Sequence, residues 1–141
     1  MKTNLPNGLI SPAEAKELNQ QFVKTRSKEL DKIVEKLDNK PNKKDALSTW
    51  FSLEEIKNYI AYVESNAPDA NGLRIYFGAY KTKSGNADKS NVTTVFMVPT
   101  TESKGSMQKD GLGGGDPSDI GDLEGLNSGS LGNPPSATYP Q

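Results

Sequence analysis

A change of composition near residue 100 limits what this chain can fold into more than any other feature. Residues 101–141 hold eight apolar side chains in 41, one aromatic (Tyr139), nine of the 13 glycines and four of the nine prolines. Residues 1–100 hold 38 apolar residues and the other nine aromatics. Ordering a backbone costs roughly 1–2 kcal/mol per residue, and a segment this poor in apolar surface has little to set against that cost. The sequence therefore reads as a compact domain over 1–100 and a disordered acidic, Gly/Ser/Pro-rich tail over 101–141. Charge divides at the same place, +3 before and -4 after, which the net charge of -1 conceals.

The residues that are missing exclude much chemistry. With no Cys, disulfides, thiolate nucleophiles and zinc fingers are impossible. With no His, the serine–histidine relay and imidazole metal sites go too. A near-neutral chain builds no field that would draw it to nucleic acid or an anionic membrane. The first 18 residues contain no apolar run of seven, as a secretory signal would need. The longest apolar runs, such as Val95-Phe96-Met97-Val98, are far below the roughly 18 residues that span a bilayer. A cytoplasmic protein is the expectation.

Helix starts are legible. Ser11-Pro12-Ala13-Glu14 has the form of a capping box, with Pro at the first helical position. Leu18, Phe22, Leu30, Ile33, Val34 and Leu37 follow at helical spacing, interrupted by the polar run Lys24 to Glu29, where the helix is expected to bend or leave the core. Asn39-Lys40-Pro41 ends it. Leu47 to Phe51 is a short β-prone run, and Ser52-Leu53-Glu54-Glu55 opens a second helix whose stripe is Leu53, Ile56, Tyr59, Ile60 and Val63. Leu73 to Tyr80 and Val92 to Val98 read as strands. A loop of about ten residues between them favours an antiparallel pair. The expected fold is α+β, in the order α-β-α-β-β: a small antiparallel sheet of about three strands packed with two helices.

The strand pair carries the least ordinary surface. Leu73, Ile75, Phe77 and Ala79 alternate with Arg74, Tyr76, Gly78 and Tyr80, so neither face is plainly polar. A helix packed on each side is the simplest account. The functional account is a partner-binding patch of Arg74, Tyr76, Tyr80, Val95 and Met97, since Tyr, Met and Arg are favoured at interfaces. Gly78 allows another backbone close or marks a bulge. A three-stranded sheet also leaves edges that can recruit a strand from another chain.

Catalytic patterns are weak throughout. Glu54 and Glu55, adjacent on a helix start, point about 100° apart and do not converge as a carboxylate pair must. Gly111 to Asp116 lacks the Lys-Ser/Thr of a phosphate loop. Asp110, Asp116, Asp119 and Asp122 fit neither an EF-hand nor a nonapeptide calcium repeat. In the tail, Ile120, Leu123 and Leu126 recur every three residues. A docking motif that orders on binding is one reading of them; a solubilising tail with incidental apolar residues is the one composition favours.

Three segments carry a resemblance: Ile10 to Ala15, Trp50 to Ile56 with Tyr59-Ile60, and Arg74 to Tyr80 followed by Thr94 to Thr100. Together they look like a family of small uncharacterised bacterial proteins, over roughly residues 8–100. The resemblance implies a bacterial, cytoplasmic protein and carries no activity, ligand or catalytic residue with it.

The sequence thus favours a non-enzymatic protein-binding or adaptor module, with no metal or cofactor, that presents a Tyr-rich strand or a sheet edge to a protein partner or to a second copy. A protein or enzyme that takes a small anionic ligand with Arg74, Tyr76, Tyr80 and Lys81 is the alternative. An inhibitor or immunity-type protein whose acidic tail blocks a basic site is a third.

Overall fold

The structure is a computed structural model of the chain, and it describes residues 4–82, 86–102, 116–127, 130–131 (backbone only) and 136–141. Helix α1, Pro12–Phe22, begins as its sequence requires. The Glu14 amide donates to Ser11 Oγ at 3.1 Å, and Glu14 Oε2 accepts from the Ser11 amide at 2.7 Å. That backbone bond, with the Ser11 hydroxyl, holds the Glu14 carboxyl below its ordinary pKa. The helix does not stop at the polar interruption. It passes through a π-helical segment, Val23–Ser27, into α2, Lys28–Asp38. A π turn takes an extra residue, so it re-phases the apolar stripe between Phe22 and Leu30 where the sequence pattern breaks. The end comes at Asn39, in the left-handed region at φ 48°, with the Lys40 amide donating to the Glu35 carbonyl.

Helix α3, Leu53–Asn66, is capped by Ser52, whose Oγ accepts from the Glu55 amide at 2.9 Å. Strands β2, Ala70–Ala79, and β3, Thr93–Glu102, pair antiparallel, with Arg74 opposite Val98, Ile75 opposite Met97 and Tyr76 opposite Phe96. The α+β fold with a three-stranded antiparallel sheet is as the sequence reads.

The third strand is not the expected one. The β-prone run supplies only β1, Thr49–Trp50, which pairs with β5, Ser130–Leu131, in a separate ladder. Helix capping at Ser52 cuts that run short. The sheet runs β2-β3-β4, and β4 is Pro117–Asp119, from the segment expected to be a disordered tail. Composition undercounted what that segment can bury. Leu126 packs against the cluster of Tyr59, Val63 and Met97, together with Phe51, Ile56 and Leu73. Its amide and carbonyl exchange 2.9 Å hydrogen bonds with Met97. Tyr59 OH donates to the Glu124 carbonyl at 2.8 Å, and burial raises the Tyr59 pKa. The chain end also returns: the Tyr139 amide donates to Asn19 Oδ1 on α1, and Gln141 Nε2 to Ser48 Oγ. Residues 103–115, which include Asp110 and Gly111–Gly115, lie outside the described residues.

A second small cluster, Val34, Ala46 and Val92, joins α2 to the start of β3. Polar side chains close the seam around it. Asp38 accepts from Lys43 Nζ, from Ser90 Oγ at 2.8 Å and from Asn91 Nδ2 at 2.5 Å. Those donors, Lys43 first, hold the Asp38 carboxyl at a pKa of about 2. Buried Asp45 accepts from its neighbour Ala46 and from both the amide and the hydroxyl of Thr93.

Candidate functional site

The two edges of the sheet can be accounted for bond by bond. The Tyr80 amide donates to the carbonyl of Val92, its partner in the β2–β3 register. In an antiparallel ladder hydrogen-bonded pairs alternate with non-hydrogen-bonded ones. Gly78, Tyr76 and Arg74 therefore turn their backbone groups toward β3, and Leu73, Ile75, Phe77 and Ala79 turn theirs outward. On β3 the outward groups belong to Thr93, Val95, Met97, Pro99 and Thr101.

At each outward-turned residue of β3 at least one backbone group is met or paired. The Thr93 amide donates to Asp45 Oδ1 at 2.6 Å, the Val95 carbonyl accepts from Asn127 Nδ2 at 2.8 Å, and Met97 exchanges both bonds with Leu126. The Pro99 carbonyl accepts from the Ile120 amide, and Thr101 pairs with Ser118. Buried backbone groups need such partners. The outward edge of β2 has no such partner among the described residues. Leu73, Ile75, Phe77 and Ala79 make no backbone hydrogen bond to any of them on that side.

The side chains on that edge are also unusual for an open strand. Phe77 is 85% exposed and Ile75 57%. Open edges are normally blunted by Lys, Pro or a short length. Here the strand is ten residues long, and Arg74 is its one charged residue. Even that charge is met within the chain. Arg74 Nη1 lies 2.5 Å from Asp119 Oδ1, its Nη2 donates to the Pro117 carbonyl at 2.8 Å, and Tyr76 OH donates to Asp119 Oδ2. Tyr76 and the Asp119 carboxylate keep the guanidinium charged by raising its pKa further.

The register divides the patch read from the sequence. Directly paired residues share a face, so Tyr76 lies with Phe96, on which it stacks at 5.3 Å, while Ile75 lies with Met97. Arg74, Tyr76 and Tyr80 therefore occupy one face, and Val95 and Met97 the other. Met97 is buried under α3, and Tyr80 OH is 3.1 Å from Asn127 Oδ1. Lys81, at the end of β2, is exposed. Gly78 needs no special space, because a Cβ there would meet the Phe96 ring at an ordinary 3.6 Å.

The face that carries Phe77 opens beyond α3. An open cavity of about 440 Å³ lies there between α1 and the sheet, and its walls include Ile10, Leu18, Phe22, Phe77, Val95 and Tyr139. On the opposite face Val34 of α2 packs with Val92, the pairing partner of Tyr80, so helices approach both sides of the sheet. Helices α3 and α1 both reach the face of Met97 and Val95, and ties to residues 117–127 run over the other. Ile75 and Phe77 are the residues the sequence reading missed. Their alternation made them look like core, and only the fold shows them exposed.

Among the described residues no three acidic groups stand together as metal ligands, and no helix is long and apolar enough to cross a membrane. Comparison with protein-family models, curated proteins and solved structures finds no match to the chain.

Proposed function

We propose that this protein is a non-enzymatic binding module that takes an extended segment of a protein chain along the outer edge of β2. One observation carries the reading: among the described residues the outward backbone groups of Leu73, Ile75, Phe77 and Ala79 find no backbone partner, on a strand that also exposes Ile75 and Phe77. Strand addition supplies the missing hydrogen bonds, and pockets for alternate side chains add selectivity. The cavity beside Phe77 receives an apolar side chain of the incoming strand.

A display library of random peptides selected on the full chain tests this. Selected peptides are expected to slow amide exchange at Leu73, Ile75, Phe77 and Ala79. They should lose about tenfold or more in affinity on Ile75→Pro, which removes an outward N–H and leaves the β2–β3 bonds intact. Peptides that bind Ile75→Pro as well as wild type would overturn the proposal, as would failure to select any.

The anionic-ligand reading keeps one supporting observation, that Arg74 and Tyr76 already receive a carboxylate from Asp119. It expects Asp119→Ala to bind inorganic phosphate or acetate by titration calorimetry where wild type does not. Absence of heat in both would remove it.

A further inference from the structure

We infer that the strand taken by the β2 edge is the β2 of a second copy of this chain, paired antiparallel about a two-fold axis through Tyr76. The inference rests on the proposed function and names its partner. Three observations on the edge point to a copy of itself.

The first is register. The β2 ladder is irregular between Ala70 and Gly72, so Leu73 to Ala79 is the regular stretch. A two-fold axis through Tyr76 uses all of it. Leu73 then faces Ala79 of the other copy, Arg74 faces Gly78, Ile75 faces Phe77, and Tyr76 faces its counterpart. Every outward-turned residue meets an outward-turned residue, as an antiparallel ladder demands. An axis through Phe77 would set Leu73 against Lys81, and one through Ile75 would run Ala79 into Asn71 at the irregular end.

The second is side-chain and charge complementarity. The two most exposed large apolar residues of the strand, Ile75 and Phe77, become cross-strand neighbours twice over, which takes apolar surface of both from water. The one charge, Arg74, faces a glycine and is already neutralised by Asp119, so no like charges oppose.

The third is closure. Pairing two β2 strands gives the order β4-β3-β2-β2-β3-β4, and the outer edge of each β3 is already met by residues of its own chain. Assembly therefore stops at two, as an isologous interface does. An apolar, uncharged edge on both sides of the sheet would instead have built a fibre.

The absence of Cys makes the test clean. Light scattering over a concentration series should show the mass of wild type rising from one chain to two, with Ile75→Pro and Phe77→Lys held at one. Tyr76→Cys should oxidise to a covalent dimer, because a residue facing its counterpart in a non-hydrogen-bonded pair lies within disulfide reach. Tyr76 also binds Asp119, so an independent pair guards against misfolding. An equimolar mixture of Ile75→Cys and Phe77→Cys chains should cross-link roughly tenfold more than either alone, since each residue faces the other type and its own type lies beyond disulfide reach.

A wild type that stays monomeric at all concentrations, with no cross-link, overturns the second copy. If display-selected peptides still depend on Ile75, that result leaves strand addition standing. A dimer that persists in Ile75→Pro, or in which Ile75→Cys alone cross-links as well as the mixture, overturns the register and the inference with it.

Discussion

Gly125→Ala separates the folded arrangement of residues 116–127 from the disorder that composition suggests. A Cβ built at Gly125 lies 2.9 Å from the Met97 carbonyl oxygen and 3.4 Å from Val98 Cγ1. The nearer atom is backbone in the centre of β3 and cannot swing away as a side-chain end would. Overpacking of this kind costs about 1–3 kcal/mol. The loss is bounded by the docking free energy of the segment, because 116–127 can come off the sheet instead of distorting it. In a disordered tail the same substitution would leave the fold unaffected, or favour it slightly by reducing the freedom of the unfolded chain. Gly121→Ala is the matched control, since nothing lies within 4 Å of its Cβ position. Urea denaturation followed by far-UV circular dichroism should show a lower midpoint for Gly125→Ala and none of that change for Gly121→Ala. In heat, about 1 kcal/mol corresponds to a fall of roughly 3–5 °C for a chain of 141 residues. Equal midpoints for the two variants would refute the docking of Leu126 and Glu124 against β3.

Three further outcomes follow from named contacts. Tyr59→Phe removes the hydroxyl that donates to the Glu124 carbonyl and leaves a part-buried carbonyl unmet, for a loss of about 1 kcal/mol in urea titration. That loss should shrink in the Gly125→Ala background, because both variants weaken the same docked segment. The Asp38 carboxyl, lowered from 3.8 to about 2, contributes stability that is complete above pH 3.8 and is lost as pH falls toward 2. Asp38→Asn should therefore lower the urea midpoint at neutral pH and flatten its dependence on pH below 4. Gly78→Ala should be neutral or stabilising by up to about 1 kcal/mol, since strand glycine is entropically costly and the added methyl meets Phe96 at 3.6 Å. A clear destabilisation there would mean that β2 needs glycine for a reason other than packing against β3.

Local signals determined the local structure. Ser11 with Glu14, and Ser52 with Glu55, begin helices where side-chain oxygens meet free amides, and those bonds involve residues three apart. The strands Leu73 to Tyr80 and Val92 to Val98, their antiparallel pairing and the α+β class were legible for the same reason: alternation and turn residues act over short distances. What the sequence by itself could not decide were pairings between distant residues. Nothing in Pro117–Asp119 marks a strand, because its partner is Thr100 to Glu102 and its anchors are Arg74 and Tyr76, more than 40 residues away. Leu126 reads as an incidental apolar residue until Met97, Tyr59 and Val63 surround it. The candidate site was half visible. A sheet edge was expected, but parity alone could not say that Tyr76 and Met97 lie on opposite faces, which the register decides. Nor could it say which edge stays open. Asp45 and residues 117–127 line the outer side of β3, and none of the described residues pairs with the outer side of β2, an outcome of tertiary pairing that no window of sequence contains.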